Sequence, residues 1–74
     1  MMRPPLLDTT LVRADRVRSF RVQPTSSVGW EASEREGQQI VQQQCHTDWH
    51  RVERTLERFG REIEELKEQG WRET

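Results

Sequence analysis

The stretch from Thr47 to Trp71, TDWHRVERTLERFGREIEELKEQGW, constrains this chain more than any other. Its apolar residues Trp49, Val52, Leu56, Phe59, Ile63 and Leu66 recur at steps of 3, 4, 3, 4 and 3, which places all six on one seam of an α-helix. The residues between them are mostly Glu and Arg, with Lys67 and Gln69 following, good helix formers. Thr47 is the expected N-cap, because its hydroxyl can accept an orphan amide of the first turn. Asp48 adds negative charge at the positive end of the helix dipole. Gly70 suits the left-handed position after the last turn, and Trp71 is then expected to fold back on Leu66 in a Schellman motif.

A helix with one apolar seam needs a cover. The residues before it read as three short strands. Val17 to Gln23 alternates, with Phe20 and Val22 on one side and Ser19 and Arg21 on the other. Pro24 to Ser27 is a turn cluster. Val28 to Ser33 alternates again, Val28, Trp30 and Ala32 sharing a side. Glu34 to Gly37 is read as a hairpin turn, and Gln38 to Cys45 as the third strand, preferably with Trp30 opposite Val41; a bulged turn sets Trp30 opposite Gln42 instead. The expected fold class is therefore α+β: a three-stranded antiparallel β-meander packed on one long C-terminal α-helix, β-β-β-α, in a single small domain over residues 17–74. Residues 1–16, MMRPPLLDTTLVRADR, are read as a flexible or partner-ordered N-terminal arm, with Pro4-Pro5 blocking regular structure locally.

Size and composition limit what such a chain can do. Its 74 residues are 31% apolar and 34% charged, a thin basis for a core that stands alone. The single cysteine excludes an internal disulfide, which leaves a metal or a partner as the supplement. Cys45, His46 and His50 are the one cluster of soft ligand types, but a closed zinc site needs four ligands, and no metal or other cofactor is expected. Neither a glycine-rich phosphate loop nor a nucleophile-base-acid pattern occurs, so the chain is read as non-enzymatic. No signal peptide or membrane-length apolar run is present in the sequence, and a cytoplasmic protein is expected.

A helix of about 33 Å, from Asp48 to Gln69, outruns strands of roughly 20–26 Å. Ile63, Leu66 and Trp71 are therefore expected to overhang the sheet. Gly60, beside the seam, would let another backbone approach. These four residues form a candidate interface, and the leading functional expectation is a protein-interaction or assembly module acting as a homodimer, with a further protein partner unidentified and no membrane association.

The alternative expectation is DNA binding. The net charge is −1, but residues 1–24 carry five Arg against two Asp, while residues 25–74 carry seven basic and eleven acidic residues. The layout, though no motif, resembles that of plant AP2 domains and phage integrase arm-binding domains, which insert the exposed face of a three-stranded sheet into the major groove; the candidate contacts here are Arg18 and Arg21 for their charge, and Gln42 and Gln44 because glutamine can pair with adenine. Trp30, Trp49 and Trp71 are all expected in the core. A tryptophan left exposed would instead be an anchor for a partner.

Overall fold

The computed structural model describes residues 4–26 and 28–74; the expected arm's residues 1–3, and Ser27 of the turn cluster, lie outside this range. The chain runs β1 (Leu7–Arg13), β2 (Arg16–Pro24), β3 (Trp30–Glu36), β4 (Gln39–His46), α1 (Trp49–Glu68) and β5 (Arg72–Glu73). The strands form one antiparallel sheet in the order β4-β3-β2-β1-β5. The α+β class and the antiparallel meander are as expected, but four main strands precede the helix. The additional one is Leu7–Arg13, within the stretch read as an arm.

β1 turns into β2 through Ala14 and Asp15, with Arg13 paired to Arg16. Ala14 has a φ of 53°, a conformation usually given to glycine or asparagine in two-residue hairpin loops. Its backbone direction makes the hairpin, and its side chain gives no sign of it. Along β1, Thr9 and Leu11 are buried, while Asp8 and Thr10 face out.

The β3–β4 hairpin also differs from both expected registers. β3 continues to Glu36, and the turn is the two residues Gly37 and Gln38, so that Glu36 pairs with Gln39. A bulge follows: Glu34 pairs with Gln42 and Arg35 with Ile40, leaving Val41 without an opposite residue. Trp30 consequently lies opposite His46. The Glu and Arg residues read as a turn extend the strand because Glu34 belongs to its buried face.

The helix cap is Asp48, one residue later than expected. Its carboxylate accepts from the His50 amide at 3.0 Å, so the acidic residue that was assigned to the dipole makes the capping bond itself. The other end follows the Schellman pattern: Gly70 has a φ of 100°, its amide donates to the Lys67 carbonyl at 3.1 Å, and the Trp71 amide donates to the Leu66 carbonyl at 3.0 Å. Trp71 is buried, with the Arg16 guanidinium 5.3 Å above its ring.

α1 crosses the sheet diagonally. Its start meets the β3–β4 end, where Trp49 and Trp30 rings are 5.3 Å apart and His46 Nε2 lies 3.3 Å from Thr55 Oγ1. Its middle sits on β2, where Phe59 meets Phe20 edge to face at 5.2 Å. Its end reaches the β1–β2 turn, Gly70 lying beside Arg13, and β5 then pairs with β1. Val52, Phe59, Ile63, Leu66 and Trp71 close over Leu11, Phe20, Val22 and Ala32 in one core.

The expected overhang is therefore absent. Ile63, Leu66 and Trp71 are buried by the chain's own sheet, because β1 adds Leu11 to the cover and the diagonal crossing uses the sheet's full width. Gly60 is only partly covered, and a β-carbon placed on it meets nothing within 4 Å. Gly60→Ala is accordingly expected to stabilise the fold by about 1 kcal/mol through helix propensity, a rise in Tm of roughly 4–8 °C by thermal denaturation, without changing the association state.

Candidate interaction surface

Three surfaces carry unusual chemistry. The first is the outer edge of β4. This strand is QIVQQQCH, and nearly every side chain on it is exposed or only partly covered. Ile40 is 50% and Val41 57% exposed. It is the terminal strand of the sheet, so one side of its backbone has no neighbouring strand among the described residues. Natural edges are commonly blunted by lysine, proline or inward-pointing charge. From Gln39 to Cys45 there is none of these; the bulge at Val41 is the sole such device on the strand. The opposite edge is treated differently, since β5 pairs with Leu11 and Val12 and the Thr74 amide donates to the Thr10 carbonyl at 3.0 Å.

Trp49 stands at the end of β4 nearest the helix and is 46% exposed. It was expected in the core. It occupies the first position of α1, directly after the Asp48 cap, where the seam has not yet come over the sheet. Thr55 takes a buried place that the apolar spacing did not assign. The exposed indole is held against Trp30 and so presents a fixed apolar face at the end of the β3–β4 pair.

The second surface is a polar cluster on the helix side. Arg18 and Glu34 form an ion pair in which the Glu34 side chain is only 5% exposed and Arg18 22%. Arg18 Nε is also 3.8 Å from Glu36 Oε1, and Arg16 Nη2 donates to the same oxygen at 2.9 Å. Glu62 of α1 faces Glu34. Its carboxyl is held above the ordinary range, first by burial, then by the negative charge of Glu34 and a hydrogen bond to it, against the opposing charges of Arg58 and Arg18. A carboxyl raised in the folded state favours folding most where it is protonated, and this contribution is lost as pH rises through the folded value. Glu62→Gln keeps a hydrogen-bonding side chain and removes the charge. It is expected to raise Tm at pH 7, with the advantage over wild type shrinking as pH falls to about 4; parallel thermal melts across that range check it.

The third surface is the open face of the sheet, a shallow depression lined by Asp8, Thr10, Ser19, Arg21, Glu31, Ser33 and Arg35, with Gln23 at its margin. Its two acids and two arginines cancel. Arg21 Nη2 donates to Asp8 Oδ2 at 3.2 Å.

The residues proposed for DNA are not brought together. Arg21 is on the open face, whereas Arg18 lies on the helix side in its ion pair. Gln42 pairs with Glu34 and Gln44 with Ala32, two residues of the buried face, so both glutamines also lie on the helix side. The parity of β2 already implied this division, because Arg18 is two residues from Phe20 and Arg21 is not. The cysteine-histidine cluster is likewise dispersed. Cys45 is exposed, since it pairs with Glu31 on the open side. His46 contacts Thr55, and His50 is exposed near Glu53. Among the described residues no group of three or more His, Cys, Asp or Glu side chains is placed to hold a metal ion, and no helix is long and apolar enough to cross a membrane. Compared with protein-family models, curated proteins and solved structures, the chain has no significant match.

Proposed function

We propose that the chain is a small non-enzymatic protein-interaction module that works by strand addition at β4. The observation that carries this reading is an open, uncharged sheet edge whose side chains are exposed on both faces. Strand addition gains affinity from main-chain hydrogen bonds and specificity from neighbouring side chains; here Trp49, Ile40 and Val41 supply the apolar contacts. A half-exposed tryptophan fixed by a second aromatic ring has the character of a binding anchor. The apolar stripe of α1 is no longer available for this purpose, as the core uses it.

The test is capture from an extract of the source cells on immobilised wild-type chain and on the Gln43→Lys, Gln44→Lys variant. These two substitutions put charge on both faces of the edge without touching the core. Proteins retained by wild type, further copies of this chain included, are expected to be lost with the variant. Retention that is indifferent to the substitutions would overturn the reading.

A further inference from the structure

We propose that the strand received by β4 is β4 of a second copy, paired antiparallel across a two-fold axis, so that two five-stranded sheets become one continuous sheet with both helices on the same side. This inference rests on strand addition at β4 and names its partner.

Three observations select a second copy. The first is charge. β4 carries no ionisable side chain between Gln39 and Cys45 except the thiol itself, so two copies meet without the like-charge repulsion that most edge strands build in. A charged foreign segment would find no complementary residue on the strand.

The second is the distribution of apolar residues about the edge. Ile40 and Val41 stand near the start of β4 and Trp49 just beyond its end. Antiparallel pairing of the strand with itself brings the start of each copy level with the end of the other. Each Trp49 then approaches Val41 of its partner, and both apolar groups leave water in the same step. The bulge at Val41 confines regular pairing to Gln42–His46, which places the two-fold axis at Gln44, the centre of that run.

The third is closure. β5 and Thr74 occupy part of the β1 edge, so β4 is the longer open edge. An isologous β4–β4 contact uses that edge in both copies and stops at two, where a heterologous contact would continue into a fibre.

The experiment combines mass and distance. Wild-type protein is expected to sediment at twice its 8.9 kDa mass. The Gln43→Glu, Gln44→Glu and Gln43→Lys, Gln44→Lys variants are each expected to be folded monomers, their dissociation constants raised at least about 100-fold by like charges facing across the axis. An equal mixture of the two variants should recover the dimer, because opposite charges then meet. A nitroxide on Cys45, the chain's one cysteine, faces the open side of the sheet and leaves the edge free. At about 3.4 Å per residue along an antiparallel pair, these registers hold the two Cys45 positions within roughly 20 Å, close enough for dipolar broadening that disappears on dilution with unlabelled chain.

A dimer unaffected by both charged variants overturns this inference by placing the contact elsewhere. A wild-type monomer that captures a foreign protein in an edge-dependent way also overturns it, while leaving strand addition standing. A monomer with no edge-dependent capture removes both.

Discussion

Truncating Phe59 to alanine is expected to remove about 3–5 kcal/mol of folding stability. Phe59 is 1% exposed and meets the ring of Phe20 edge to face. It is the contact between the middle of α1 and the middle of the sheet, with Val52 on one side of it and Ile63 on the other along the same seam. The loss combines the transfer of a large side chain with the cavity it leaves. A chain of this size has roughly 4–11 kcal/mol in total, so the loss is a substantial share of its stability and the urea midpoint should fall accordingly. Urea titration followed by circular dichroism measures the shift. Phe59→Leu, which retains most of the apolar volume, should lose less than half as much. Equal losses for both would show that ring-on-ring geometry, not filled volume, holds the helix to the sheet.

The second large effect concerns the Arg18–Glu34 pair. Arg18→Met is expected to cost about 3 kcal/mol at pH 7, since it leaves Glu34 buried without its cation and still facing Glu62. The partial exposure of Arg18 keeps this at the lower end for buried pairs. The double variant Arg18→Met, Glu34→Leu should recover most of the loss. Replacing both partners by apolar residues removes the uncompensated charge together with the desolvation cost of the pair. Urea midpoints of the two single variants, the double variant and wild type complete the cycle. Additive losses would show that the pair acts only as two independent surface residues.

Much of this fold is legible in the residues. The seam from Val52 to Leu66 is a strict helical period, and Gly70-Trp71 specifies the end of the helix down to the carbonyl that Trp71 bonds. β2 is marked by Phe20 and Val22. The first hairpin is hidden because Ala14 takes a positive φ that sequence rules reserve for glycine or asparagine. Without that turn, the alternation of Thr9 and Leu11 against Asp8 and Thr10 has no neighbour to read against. A sheet without β1 leaves the helix overhanging, and that overhang is what points to an interface at Gly60, Ile63, Leu66 and Trp71.

The candidate surface was illegible for a different reason. β4 has few apolar residues because neither of its faces is well covered, so its alternation carries little signal, and the bulge at Val41 breaks what remains. Trp49 satisfies the helical period yet lies at the first position of α1, where the period says nothing about whether the sheet is still beneath it. Half of the Arg18–Glu34 pair is legible by parity, Arg18 with Phe20 on β2; Glu34 shares a face with Ala32 only once β3 is extended through the residues that read as a turn. A charged residue on the core side of each of two neighbouring strands is the signature of an ion pair beneath a helix.

Contact with a partner is proposed on β4 and not on the second half of the helix. Amide hydrogen exchange of the pure protein, compared below and above the concentration at which it associates, tests that most directly. Association is expected to slow exchange at alternate residues of Gln42–His46, those whose amides point away from β3, and to leave residues 60–71 unchanged. Slowing confined to residues 60–71, with β4 unaffected, would contradict it.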